Sequence, residues 1–365
     1  MAFRFMKILH ITAIARLNGN SGIPAVLKAL TDEQNKIDGI ESRVLSLCAS
    51  VESMTSTYFD YLGQKSISDY VKEYMPDLVI IHSFYHGEYA RVAHVLKAYK
   101  IPFVLEPHGA FGVEAMKKSW LKKYIADRTV FRSLLKNSIA YIYTNEAEMN
   151  SSVYEKDRKC VIPNGVYEDA IKDASQKPHA TLSKPVFYFL GRYDINHKGI
   201  DYLLNALKIL DDKKEQVTVR LYGTGTEEQK KFIHEKIKEF KVIDVQDKGT
   251  IYGDAKKEAL QNVNILLLTS RYEGSPMTIL DALSYGNPCL VTPGTNVADE
   301  LIENNIGWKV ELNAESIAEG ILRAAKEYVA DAGGYYKRSQ QHVLDNYIWE
   351  NIAQQSIEAY KELIG

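Results

Sequence analysis

The 365-residue sequence predicts an α/β protein built from two doubly wound domains. Three observations predict it. Short β-rich apolar runs alternate with helical patterns along the chain; the runs are continuously apolar, as expected of parallel strands covered on both faces; and the rhythm pauses in an Asn/Gly/Asp/Lys/Pro-rich stretch from Asn164 to Pro185, then restarts. A chain of this length also suits two hydrophobic cores better than one.

In the first half the strand runs are "KILHIT" from Lys7, "SRVLSL" from Ser42, "DLVIIHS" from Asp77, "PFVLEPHG" from Pro102 and "IAYIYTN" from Ile139. Helical spacing separates them at Ile23 to Lys36, Ile67 to Tyr74 and Tyr89 to Tyr99. In the second half they are "VFYFLGR" from Val186, "VTVRLYG" from Val217, "KGTIYG" from Lys248, "ILLLTS" from Ile265 and "PCLVTPG" from Pro288, with closing helices from about Gly334 to Ile364. Ligands of such folds bind beyond the carboxyl ends of the strands, so loops at His108, Gly191, Gly223 and Ser270 are expected to face a cleft between the domains.

Composition narrows the partners. Hydrophobic residues make up 45% and charged residues 25%, and the formal charge is −2, which does not suit nucleic acid as a partner. Cys48, Cys160 and Cys289 are scattered, without zinc or disulfide spacing, which fits a reducing cytoplasm. No apolar run reaches the ~20 residues that span a bilayer. A cytoplasmic protein is expected, at most peripheral at the inner face of the cell membrane.

Two loops hold the candidate chemistry. In "SRYEGSPMTILDALSYGNPCL", Ser275 reads as an N-cap and Pro276 as the first residue of a helix running to Tyr285. The N–H groups of Met277 and Thr278 would form an anion pocket with Glu273 at its mouth, and Asp281 would share a polar face with Thr278 and Tyr285. In "FLGRYDINHKGIDYLLNAL", Arg192 ends a strand and Lys198 precedes Gly199, where a helix begins. Two cations beside a helix N-terminus suit a diphosphate, each pairing being worth roughly 4 kcal/mol at ~4 Å and an effective dielectric of ~20, before desolvation.

These two stretches, in order and spacing, resemble the signature of the retaining nucleotide-sugar glycosyltransferases of family 4, which have the GT-B fold of two Rossmann-like domains. "EPHG", "YTNEAE" and "IPNGV" look like family counterparts as well. The resemblance implies a first domain at 1–170 on the acceptor side, a linker at 171–185, a donor domain at 186–345, and a C-terminal helix at 346–365 packing back on the first domain. It implies that Arg192 and Lys198 hold the donor diphosphate, that Glu273 bonds hydroxyls of the donor sugar, and that His108 lies by sugar and phosphate. Gly191, Gly274, Ser275, Pro276, Met277 and Thr278 would complete the donor site. Asp281 stands where the family has a ribose-binding Glu, one methylene longer. "NGNSGIPAV" would cradle phosphate at Ser21 and Gly22, and "YGTGTEE" at Gly223 would border the base or serve only as a turn.

The implied activity is transfer from a nucleoside diphosphate sugar, UDP-sugar favoured, to a saccharide or lipid-linked hydroxyl in cell-surface polysaccharide or capsule synthesis. It would need no cofactor and no metal, Arg192 and Lys198 standing in for the divalent cation, and the lack of an Asp-x-Asp sequence agrees with that. His82 and His86, spaced i, i+4, lack a third ligand and are assigned no zinc. "EAMKKSWLKKYIADR" reads as one helix with Met116, Trp120 and Tyr124 on a stripe and Lys118 and Lys122 opposite. That pattern fits either a helix facing an anionic membrane or a packed stripe with a solvated basic back. A nucleotide-sugar epimerase and a catalytically silent sugar-nucleotide binder stay open as alternatives.

Overall fold

The computed structural model describes residues 5–14, 22–48, 56–117, 119–174 and 184–365. The chain divides into two compact units, Met1–Gly165 with Trp349–Gly365, and Val166–Ile348.

The first unit is a seven-stranded sheet: β1 Met6–Thr12, β2 Ile40–Ser46, β3 Phe59–Tyr61, β4 Leu78–His82, β5 Phe103–Glu106, β6 Ala140–Tyr143 and β7 Lys159–Val161, ordered β3-β2-β1-β4-β5-β6-β7. Its strands pair in parallel. β4, β5 and β6 are buried along their whole length, which is why they read as unbroken apolar runs. Leu9, Ile81, Leu105 and Tyr141 from the sheet pack with Leu96 and Leu134 from covering helices. The last helix, Trp349–Ile364, buries Ile352, Ala353, Ile357 and Tyr360 and packs on the helix Gly22–Gln34. Arg158 donates to the carbonyls of Leu363 at 2.8 Å and Glu362 at 3.0 Å, satisfying the acceptors left over at that helix's end.

The second unit is a six-stranded parallel sheet: β8 Val186–Arg192, β9 Thr218–Thr224, β10 Asp244–Gly249, β11 Ile265–Leu268, β12 Cys289–Val291 and β13 Gly307–Lys309, ordered β10-β9-β8-β11-β12-β13. Phe187, Leu266 and Leu290 meet Leu203, Leu207, Leu283 and Ile321 in its core. Both units are doubly wound α/β folds, as the continuous apolar runs predict.

Several local expectations are corrected. The strand expected from Lys248 lies earlier, at Asp244–Gly249, and a helix begins at Gly253. β10 is an edge strand with its outer positions exposed, so it alternates instead of forming an apolar run. Residues expected in a linker include the helix Glu168–Ala174, whose Ile171 is buried in the second core. The closing helix starts at Ala314 and runs to Asn346 through non-helical geometry at Asp331, before Trp349–Ile364. The basic helix is two helices, Val113–Lys117 and Trp120–Arg128, with Ser119 between them at φ 59, so Met116 shares no continuous stripe with Trp120 and Tyr124. Among the described residues no helix is long and apolar enough to cross a membrane.

Candidate active site

The loops after β8 and β11 are fastened to one another. Arg271 N–H donates to the His197 carbonyl at 2.9 Å, and its guanidinium grips both oxygens of Asp201 at 2.9 and 2.7 Å. His197 donates Nε2–H to the Tyr272 carbonyl at 2.7 Å and stacks on that ring at 4.3 Å. Thr269 Oγ1 donates to the carbonyls of Lys198 and Gly199 at 3.3 and 3.2 Å. The consequence is a fixed ion pair, in which Lys198 Nζ lies 2.6 Å from Glu273 Oε1 with the side chains only 12% and 9% exposed. Ser270 Oγ donates to the same oxygen, and Asn296 holds the Glu273 carbonyl at 2.7 Å. The Arg192 side chain, at the exposed end of β8, makes no hydrogen bond or ion pair among the described residues. One cation is therefore set in place and the other is free to meet an anion.

The helix after Glu273 starts one residue later than its sequence suggests. Pro276 has φ −73 and ψ 108, extended, so the helix is Met277–Ser284, and Pro276 rather than Ser275 holds the capping position without a side-chain bond. Gly274 and Ser275 form the half-buried turn leading into it. The first N–H groups, of Met277 and Thr278, have no intrahelical acceptor. Thr278 Oγ1 is buried without a hydrogen-bond partner among the described residues, a polar atom that a ligand could satisfy. Tyr285 is only 4% exposed, so the expected polar face is not a solvated one. Asp281 instead ion-pairs with Lys256 at 2.6 Å, a partner that local sequence did not indicate. A ribose contact from Asp281 would have to share that carboxylate with Lys256.

Packing alone accounts for Gly223: a Cβ there would lie 2.0 Å from the Gly191 carbonyl and 2.7 Å from the Tyr193 ring, so this position sits in a close strand approach rather than in an open turn. Gly191 has ordinary space, and a Cβ on it would come 3.9 Å from Lys198 Cε.

In the first unit His108 follows β5, with φ 49, and its Nε2 lies 3.0 Å from His82 Nδ1. The loop is held from behind by Glu148, whose carboxylate accepts the Gly109 N–H, the Thr144 N–H at 2.9 Å and the Thr144 hydroxyl. Asn145 caps the helix Glu146–Asn150 by accepting from Glu148 N–H at 2.7 Å, so "YTNEAE" is the buttress of "EPHG". Burial, with Glu148 nearby, pushes the Glu106 carboxyl up to about 8, and burial lowers His10 and His108 to about 4. His82 meets His108 and Glu106, while His86 turns to Ser83 Oγ at 3.3 Å, so the two histidines at i, i+4 spacing take different partners. The signal for Glu106 was present in "EPHG"; what the sequence hid was the register of β4 on β5 that sets His82 opposite it.

Gly22 opens the helix Gly22–Gln34 at φ 62, whereas Ser21 and Lys118 lie outside the described residues. Trp120 is 63% exposed and neighbours exposed Leu121, Tyr124 and Ile125, and Lys122 is exposed on the same helix. The packed-stripe reading of that segment fails, because the helix buries none of its side chains.

Comparison with known proteins bears on what these loops do. The family described as Glycosyl transferases group 1 matches residues 171–340. An uncharacterized glycosyltransferase of Methanocaldococcus jannaschii is 26% identical over 48% of this chain, a match that spans 45% of that relative's length. An uncharacterized protein of the cps region of Klebsiella pneumoniae is 25% identical over 86% of this chain and 88% of its own. The lipopolysaccharide 1,6-galactosyltransferase of Escherichia coli K12 is 23% identical over 73% and 69%. Among solved structures, sucrose-phosphate synthase from Thermosynechococcus elongatus superposes with a TM-score of 0.76 at 17% identity, over 98% of this chain and 99% of that one. Anabaena Alr3699/HepE, solved in complex with UDP, gives 0.74 at 16% over 98% and 100%. The architecture is GT-B.

Proposed function

Because residues 171–340 form a glycosyl transferases group 1 domain, we propose that the protein transfers a sugar from a nucleoside diphosphate sugar to a hydroxyl acceptor, with retention at the anomeric carbon. The observation that carries this reading is the buried Lys198–Glu273 pair together with Arg192 at the exposed end of β8, whose side chain has no partner among the described residues. An ammonium keeps further N–H donors after binding one carboxylate, so Lys198 can bridge Glu273 and a phosphate oxygen. Glu273, pinned by Lys198 and Ser270, keeps its second oxygen for sugar hydroxyls. The N–H groups of Met277 and Thr278 add donors for the diphosphate.

In the proposed step the bond from the anomeric carbon to the diphosphate oxygen breaks while the acceptor oxygen bonds the same face. The acceptor's proton passes to the leaving diphosphate. Arg192 and Lys198 supply the charge that a divalent cation supplies elsewhere, and His108 is assigned to the sugar. A UDP-sugar is the favoured donor, supported by the complexes of Alr3699/HepE with UDP and UDP-glucose. The lipopolysaccharide galactosyltransferase and the cps-region relative favour a cell-surface polysaccharide as the product. Location in the cytoplasm belongs to the same reading.

A screen of nucleotide sugars tests it. The true donor at ~100 times its dissociation constant should add ~2.7 kcal/mol of stability, and turnover with it should need no added Mg²⁺ or Mn²⁺ and give product of unchanged anomeric configuration by NMR. Binding with neither transfer nor hydrolysis would point to a silent binder, and an isomerised sugar to an epimerase. The exposed Trp120, Leu121, Tyr124 and Ile125 with Lys122 are proposed to meet an anionic membrane. Sedimentation with phosphatidylglycerol vesicles should fall for Trp120→Ser and Lys122→Glu and fade with salt. Equal sedimentation with neutral vesicles would count against it.

A further inference from the structure

Register brings one more group of residues together. β4 and β5 pair in parallel with His82 opposite Glu106, both at the carboxyl ends of their strands, and the turn after β5 carries His108 back toward them. His82 Nδ1 lies 3.0 Å from His108 Nε2 and 3.3 Å from Glu106 Oε2, and His108 Nε2 lies 3.3 Å from Glu106 Oε1. Ligand atoms at ~2.0–2.1 Å from a tetrahedral zinc ion stand roughly 3.3 Å apart, and each imidazole nitrogen has its own Glu106 oxygen at that spacing, so the carboxylate faces the two rings with one oxygen apiece, within reach of one ion.

The hydrogen bonds behind His82 decide which of its nitrogens is free. Ser356 donates its hydroxyl proton to the Ala353 carbonyl at 2.7 Å, so toward Gln34 it can only accept, from Nε2 at 2.8 Å. Ser42 Oγ donates to Gln34 Oε1 at 2.7 Å, which leaves that oxygen facing His10 Nε2 at 3.1 Å. His10 must therefore carry its proton on Nε2 and, being neutral, accept on Nδ1 from His82 Nε2 at 2.8 Å. A neutral His82 then presents a bare lone pair on Nδ1, aimed at His108 and Glu106. A ligating histidine whose far N–H is bonded away from the ion is the arrangement metal sites use to orient their ligands.

We propose that His82 Nδ1, His108 Nε2 and the Glu106 carboxylate form a site for a divalent transition-metal ion, zinc by preference, with His10, Gln34, Ser42 and Ser356 orienting the ligands from behind. Two imidazoles and a carboxylate suit zinc and leave a fourth position for water or substrate. The site belongs wholly to the first unit and shares only His108 with the donor reading, in which the diphosphate is not asked to touch this ion; Glu106→Gln, a residue the donor reading does not use, separates the two, since it should weaken metal binding whether or not transfer is seen. It departs from the absence of zinc expected from the sequence, the further ligands being Glu106 at the end of β5 and His108 in the turn after it rather than a residue of the local run.

The test uses the full chain, stripped by dialysis against a chelator and titrated with Zn²⁺ or Co²⁺. One equivalent should bind by elemental analysis and calorimetry, with a raised thermal midpoint, and Co²⁺ should give the visible absorption of a four- or five-coordinate nitrogen and oxygen set. Glu106→Gln and His108→Gln should each weaken binding by more than about 100-fold. His234→Gln, which alters the exposed His234–Asp247 pair, should leave it unchanged. The Co²⁺ spectrum is read on the unmodified chain, so it does not depend on any variant folding. No retained equivalent, or one that Glu106→Gln leaves intact, would overturn the assignment.

Discussion

Lys198→Ala should lower turnover by ~10²-fold or more and also lower the thermal midpoint of the second unit, whereas Arg192→Ala should cost similar turnover with little change in stability. The contrast follows from burial. Removing the Lys198 ammonium strands the Glu273 carboxylate, 9% exposed, with Ser270 as its hydroxyl donor. A stranded buried charge costs about 3 kcal/mol or more, which for a unit of this size is roughly 6–12 °C in the midpoint. Arg192 is exposed and holds no partner among the described residues, so its removal strands nothing. The double variant Lys198→Ala/Glu273→Gln separates the two roles: the midpoint should recover in large part, because no unpaired charge is left, while turnover stays low. Lys208→Ala, which removes an exposed pair with Asp212, should change neither. Wild-type turnover in Lys198→Ala would refute the proposed mechanism.

Gly199→Ala is expected to be among the most damaging small substitutions in the chain. Gly199 precedes the helix Ile200–Asp212 at φ 62, ψ 27, a left-handed conformation that costs an alanine about 1–2 kcal/mol. A Cβ there would also lie 1.9 Å from the Thr269 carbonyl oxygen and 3.0 Å from its carbon, backbone atoms that follow the buried strand β11 and cannot rotate aside. Overpacking of this kind adds roughly 1–3 kcal/mol, giving a total of about 2–5 kcal/mol by urea or thermal unfolding. Turnover should fall too, since the displaced segment carries Lys198. Gly333→Ala provides the comparison: inside a helix, with nothing within 4 Å of its added methyl, it should be neutral or slightly stabilising. A Gly199→Ala chain unfolding with the parent would show that the two loops are not fastened as described.

Strands buried on both faces were legible because burial writes itself into local sequence: β4, β5, β6, β8 and β11 fall within the apolar runs at Asp77, Pro102, Ile139, Val186 and Ile265. The edge strands β3, β7 and β13 went unseen because three residues are too few to show a run, and β10 was placed too late because an edge strand with exposed positions shows no continuous run. The helix boundary at Pro276 shifted by one residue because proline accepts either an extended or a helical ψ, and the surrounding turn chose the former.

The same division holds for the site. Sequence alone determined the alternation of strand and helix, the restart into a second sheet, and which loops carry cations, carboxylates and histidines, since these depend on residues within one turn or strand of each other. Tertiary structure decided which of those groups meet. Lys198 and Glu273 are 75 residues apart, Asp281 found Lys256 across 25, and His82 met Glu106 because two parallel strands aligned in one register. Periodicity reports which face of an element is buried, but the partner across a sheet is set by strand order and register, which no local pattern encodes.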